Sequence, residues 1–158
     1  MKLAGLSLLA LFTLSSLLPA QNPPPSAPAK PATSYSGMYS FQRDGEFVQL
    51  TVEDDGRVNG FVSRYGDTEG DRGAFLDQFF KKAALEGTKL SFTTDVVHGV
   101  WYEFKGEIAR GEGKGPGDEA YYVLRGTLTE SRTGADQKVA TKAHEVVFKS
   151  FPQDAQRN

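Results

Sequence analysis

The sequence predicts an all-β fold, an eight-stranded antiparallel up-and-down (meander) barrel with a short helical turn in the connection between the third and fourth strands. Three observations carry this reading. From Gly37 onward apolar side chains recur at every second residue, the period of a sheet with one buried face. Turn signals separate the runs at Asp44-Gly45, Asp54-Asp55-Gly56, Glu86-Gly87 and Thr133-Gly134, and Asp-Gly between alternating segments is a strong hairpin cue. The runs number eight, the count at which a sheet closes into a small barrel. A two-sheet sandwich is the competitor, but its Greek-key crossings usually need longer connections than most of these.

Residues 1–20 read as a secretory signal peptide. Lys2 supplies the positive end, Leu3 to Leu18 is apolar and uncharged, and Leu18-Pro19-Ala20 ends on a small residue. A membrane span needs about 20 apolar residues, and Thr13, Ser15 and Ser16 dilute this shorter run. The expected location is periplasmic or secreted, with no membrane span after cleavage. Residues 21–36 hold five prolines in sixteen residues. That composition favours extended polyproline II and reads as a spacer; a Pro-rich recognition motif is the sharper alternative. The barrel domain is expected over 37–151 and a polar tail over 152–158.

The strands are expected near 38–43, 46–53, 57–65, 79–85, 89–95, 98–109, 119–130 and 139–150. Val48, Leu50 and Val52 define the inward row of the second, and Leu90 and Phe92 that of the fifth. Val100, Tyr102, Phe104 and Ile108 share one face of the sixth, Tyr122, Leu124 and Leu128 of the seventh, and Val146 and Phe148 of the eighth. Phe75, Leu76, Phe79, Phe80 and Ala83 also fit a helical stripe, which places the helical turn at 74–79. Gly60, Gly106 and Gly126 each fall on an inward row between two apolar residues. Glycine weakens a strand, so the repetition predicts strongly coiled strands or room for a ring from across the interior.

Composition narrows the function. The chain carries a net charge of −2 and no cluster of Lys or Arg, so neither nucleic acid nor an anionic membrane is an expected partner. It contains no cysteine, which excludes disulfides, thiolate nucleophiles, cysteine-based metal sites and lipid attachment at cysteine. The core must come from apolar packing, and eleven Phe, six Tyr and one Trp provide for it.

Tyr35-Ser36-Gly37-Met38-Tyr39 resembles the opening of the lipocalins, with Tyr39 where that family usually has tryptophan. Asp55-Gly56-Arg57-Val58-Asn59-Gly60 is similar to the second hairpin of avidin-type proteins. The resemblance, to calycin-type barrels over residues 35–150, implies an eight-stranded meander that binds a small molecule at an open mouth. It also implies an arginine packed on the first-strand aromatic, a role for which the outward parity of Arg125 is unsuited. Two departures weigh against biotin. Trp101 is the single tryptophan and faces outward by alternation, and Phe61, Val62, Ser63 and Arg64 lack the polar order of biotin contacts.

In such a meander the 1–2, 3–4, 5–6 and 7–8 connections share one end. The expected ligand-binding residues are Tyr102, Phe104, Tyr122 and Phe148 as an apolar lining, with Arg72, His98 and His144 as orienting polar groups. Asp67, Glu69 and Asp71 have the first spacing of a calcium loop, but Arg72 and Gln78 stand where glycine and glutamate are needed. His98 and His144 with a carboxylate suggest zinc or acid–base work. A satisfied polar histidine is the commoner arrangement, and no nucleophile elbow, phosphate loop or close carboxylate pair stands out. The reading is therefore an exported barrel for a small apolar ligand, with no cofactor and no metal; a hydrolase or isomerase using His98 and His144 is the open enzymatic alternative. The alternative is a packed structural or protein-interaction module, self-associating or binding a protein partner through outward Trp101, Tyr121 and Val123.

Overall fold

A computed structural model describes residues 32–152; the leader, residues 21–31 of the spacer and the tail from 153 lie outside the described residues. Eight strands form one sheet in chain order: β1 (Gly37–Ser40), β2 (Phe47–Val52), β3 (Val58–Tyr65), β4 (Phe75–Glu86), β5 (Lys89–Thr94), β6 (Val100–Arg110), β7 (Tyr122–Thr133) and β8 (Val139–Lys149). Every neighbouring pair is antiparallel. The expected meander is therefore the observed one. No helix among the described residues is long and apolar enough to cross a membrane.

The sheet curls until its first and last strands meet, but only at one end. Tyr39 bridges Ser150, Phe151 N donates to Met38 O at 2.8 Å, and Lys149 N donates to Ser40 Oγ at 2.9 Å. β1 then stops, so the rest of β8 has β7 as its one strand neighbour. We call the end with this seam the base. It also carries the 2–3, 4–5 and 6–7 connections, and a 3₁₀ turn at Ala32–Tyr35 leads the chain in there. The opposite end is the mouth.

The inward rows pack ring against ring. Phe80 stacks on Phe92 at 4.4 Å, Phe92 on Phe104 at 5.3 Å, and Phe104 meets Phe148 at 6.1 Å. Phe148 meets Phe41 at 5.2 Å, and Phe41 stands edge-on to Tyr102 at 5.1 Å. A continuous chain of aromatic rings thus crosses the interior. The inward glycines make room for it. A Cβ on Gly60 would strike the Gln49 carbonyl and lie 2.7 Å from the Phe80 ring. One on Gly106 would strike the Arg125 carbonyl and lie 2.7 Å from Phe104 Cζ, and Gly126 is paired directly opposite Gly106.

Two expectations change. The helical turn of the 3–4 connection is a 3₁₀ turn at Glu69–Asp71 rather than at 74–79, and β4 runs as strand from Phe75. The helical look of 75–83 arises because Phe75 and Phe79 face outward and are exposed, while a bulge between Phe80 and Lys82 shifts the parity and turns Ala83 and Leu85 inward. The outward patch also shrinks. Val123 is buried, because the 111–120 connection folds back over the outside of β7, with Gly111 N bonded to Tyr121 O and Gly113 N to Ala120 O. Trp101 and Tyr121 are half-buried.

Candidate functional site

The mouth is built from charge laid on an apolar scaffold. Alternation along β3 puts Arg64 on the same inward row as Val58 and Val62, and its side chain is 2% exposed. Its Nε donates to Gln78 Oε1 at 2.7 Å. Gln78, inward on β4, donates in turn to Val100 O at 2.7 Å and Asp95 O at 3.1 Å, tying the far wall to β3. A buried guanidinium is tolerable only when its donors are satisfied. Arg64 also reaches Tyr65 O at 3.1 Å and Asp67 Oδ2 at 3.0 Å.

Asp67 gathers three guanidinium groups. Besides Arg64 it accepts from Arg132 at 2.7 Å and lies 3.5 Å from Arg43. Burial pushes its carboxyl up, but the Arg132 hydrogen bond and the charges of Arg64, Arg132 and Arg43 outweigh this and hold it below the ordinary value. Glu46 is buried on loop 1–2 and accepts from Arg43 N, Arg43 Nε and Tyr65 N. Arg132 also bonds Glu130 at 3.2 Å. Arg43, Glu46, Asp67, Glu130 and Arg132 wall a recess of about 180 Å³, which Tyr102 and Gln42 also line. Burial, with Glu130's charge adding to it, raises the Tyr102 phenol above its usual range, so it stays protonated. Its hydroxyl makes no hydrogen bond among the described residues.

A second recess, about 220 Å³, opens where β8 lacks a neighbour. Phe41, Gln42, His144, Val146, Val147 and Phe148 line it. Gln42 is common to both recesses, and the Phe41 ring stands between Tyr102 and Phe148 as a partition. A larger depression of about 540 Å³ lies outside the wall over β4–β7, among exposed Glu86, Lys89, Lys105, Glu107 and Arg125. Its charged groups are solvated, whereas those of the mouth converge and are partly buried, so the mouth is the better candidate.

The expected site residues divide accordingly. Tyr102 lines the first recess, and His144 and Phe148 line the second. His144 Nδ1 is buried without a hydrogen-bond partner among the described residues. Phe104 is fully buried between Phe92 and Phe148. Tyr122 lies at the base, edge-on to Tyr35 at 5.0 Å and next to Tyr121. Arg72 is exposed on the 3–4 connection. His98 is at the tip of a two-residue hairpin: Val97 and Val100 exchange both backbone bonds at 3.0 Å, and His98 and Gly99 take φ of 51° and 76°. That is the left-handed pair such turns require. His98 Nδ1 lies 2.7 Å from Asp71 Oδ2, which also accepts from Thr68 Oγ1, so the 3–4 and 5–6 connections are clasped at the rim. Among the described residues no group of three or more His, Asp or Glu side chains is placed to hold a metal ion.

Sequence reasoning missed Arg64, Gln78, Arg43, Glu46 and Arg132 as members of the site. The parity that put Val62 inward also puts Arg64 there, and that was the available signal. The arginine–ring contact at the base is on Tyr121 rather than on the first-strand Tyr39: Arg110 lies 3.3 Å over the Tyr121 ring. Tyr39 is buried and donates its hydroxyl to Tyr35 O at 2.7 Å.

No family model matches the chain, and no curated protein matches it in sequence. Solved structures do match in fold. A rhizavidin–biotin complex superposes with a TM-score of 0.55 at 14% identity, covering 77% of this chain and 96% of that one. Apo short afifavidin gives 0.52 at 16% identity, covering 77% and 98%. A further rhizavidin structure gives 0.52 at 13% identity, covering 73% and 81%. At such identities the likeness is one of architecture: the chain has the avidin-like form of the eight-stranded meander barrel.

Proposed function

We propose that the protein is an exported barrel that binds a small molecule at its mouth. The Tyr102 hydroxyl carries this reading. Every charged group around the first recess is paired with a neighbour, while this hydroxyl, on a buried ring, has no partner among the described residues. A neutral hydrogen-bonding head would meet Tyr102 and Gln42, and an apolar body would lie against Phe41, Val146 and Phe148. The ligand is then mainly apolar but not purely so. Pockets for such ligands are mostly apolar with a few placed polar groups, and the two recesses together approach the smaller of these. The avidin-like neighbours, one of them a biotin complex, add support from architecture alone.

The test is a thermal-shift screen of small amphipathic compounds. A true ligand at a hundredfold excess over Kd stabilises by about 2.7 kcal/mol. Tyr102→Phe should lose that shift, and His98→Ala at the rim should keep it. No shift from any compound, or a shift unchanged in Tyr102→Phe, overturns the assignment. Biotin belongs in the screen and is expected to give no shift: behind Gly60, Phe61 packs outward on Phe47 and Phe79, Ser63 bonds Asp77, and Arg64 is tied to Gln78. Export is checked by intact mass, with a mature chain beginning at Gln21 outside the cytoplasm expected and a cytoplasmic chain retaining Met1 opposing it.

A second reading, an interaction module, draws on the filled interior and on the unpaired stretch of β8.

A further inference from the structure

We propose that the open edge of β8 pairs with the same edge of a second copy of this chain, antiparallel about a two-fold axis through Ala143. The proposal rests on the interaction reading, and because the second recess opens at this same edge, pairing would also cover that recess.

The β7–β8 ladder is regular from Val123↔Lys149 to Thr133↔Val139, without a bulge. Ser150 N donates to Tyr122 O, so even-numbered residues of this strand aim their backbone groups at β7. Lys149 N and Phe151 N instead donate toward β1, to Ser40 Oγ and Met38 O. The odd-numbered residues therefore face the seam. β1 ends at Ser40, which leaves the backbone N–H and C=O of Val139, Thr141, Ala143, Glu145 and Val147 without a strand partner among the described residues. Proteins usually blunt such an edge with charged side chains, proline, a bulge or a covering segment. This stretch carries Lys142 and Glu145 but has neither proline nor bulge, and residues 139–143 are exposed.

The stretch is self-complementary. A two-fold axis normal to the sheet and passing through Ala143 pairs residues numbered symmetrically about it and keeps each face on its own side. Ala143 then meets Ala143, Thr141 meets Glu145, and Val139 meets Val147. All are odd-numbered, so the free donors and acceptors engage one another as hydrogen-bonded pairs. Val139 and Val147 are 55% and 49% exposed, and each would cover the other. On the inner face Lys142 comes opposite His144. Moving the axis one residue sets Lys142 against Lys142, or His144 against His144. The Ala143 axis uses the whole open stretch and keeps Lys142 from facing its own copy, which is why a second copy suits this edge.

The absence of cysteine gives a clean test in the protein expressed from its full-length sequence. Hydrogen-bonded antiparallel residues have Cα atoms about 5.5 Å apart, inside the range a disulfide spans. Ala143→Cys should give a disulfide-linked dimer under mild oxidation. Thr141→Cys alone should not, but mixing it with Glu145→Cys should. Ala143→Pro removes an edge donor that β7 does not use. It should weaken the dimer about tenfold or more by sedimentation velocity, with the circular dichroism spectrum of the parent retained. A parent monomeric up to millimolar concentration overturns the proposal. So does an undiminished Ala143→Pro dimer, or Thr141→Cys cross-linking as fast as Ala143→Cys.

Discussion

The two ends of the barrel are closed by different chemistry. At the base Tyr35, Tyr121 and Tyr122 pack edge to face, Tyr39 sends its hydroxyl to Tyr35 O, and Arg110 lies flat on Tyr121. At the mouth Arg43, Arg64 and Arg132 converge on Asp67, and Gln78 and Glu46 are buried beneath. Ring packing carries no charge that titrates between neutral and mildly acidic pH. A charge lattice is directional, depends on ionisation, and leaves polar groups near the surface that a ligand can use. The difference teaches where to look for function: the base is arranged for closure, and the proposed recognition site lies where charge and polar groups converge, at the mouth.

Substitutions at each end can break or sharpen this contrast. The largest loss is expected for Tyr122→Ala, which removes a buried ring from the base and should cost about 4 kcal/mol, measured by urea unfolding and unchanged between neutral and mildly acidic pH. Arg64→Ala strands Gln78 and frees Asp67 at the mouth, and should cost about 3 kcal/mol; a loss below that of an average surface change would mean the lattice is dispensable. Asp67→Asn should cost about 1 kcal/mol at neutral pH, since the carboxylate is partly exposed.

That variant also tests the sign of the pH dependence. The folded Asp67 carboxyl titrates below its ordinary value of 3.8. Its contribution is therefore complete above the unfolded value and is lost as pH falls through the folded one. The parent should lose stability below about pH 4 more steeply than Asp67→Asn, and amide exchange should rise at the mouth before the base. Tyr39→Phe should have the smallest effect, about 1 kcal/mol or less for one hydroxyl bond to a carbonyl, with no change in acid sensitivity.

Legibility in the sequence followed the same division. Strands such as β2 and β6 could be read by alternation, because most inward side chains are apolar and most outward ones polar, Phe47 and Trp101 being outward exceptions. β4 could not. Phe75 and Phe79 point to solvent, Gln78 points inward, and the bulge after Phe80 breaks the period, so local pattern mimics a helix where ladder pairing decides otherwise. The glycine rows were legible as a geometric need, and the Phe80 and Phe104 rings now occupy the space they leave. The mouth was legible only in outline. Asp71 and His98 do meet across two connections, but a buried arginine is indistinguishable from an exposed one until Gln78, fourteen residues on, is known to face it. Val123 shows the converse: its parity is outward, and only the fold-back of residues 111–120 buries it.

Both termini of the described chain leave from one pole. Ser36 is hydrogen-bonded to Val52, and Phe151 to Met38, at the seam end. A handle joined directly at Ala32 or Pro152 therefore starts from the pole opposite the charged rim, and an assay surface built that way leaves the recess facing solution.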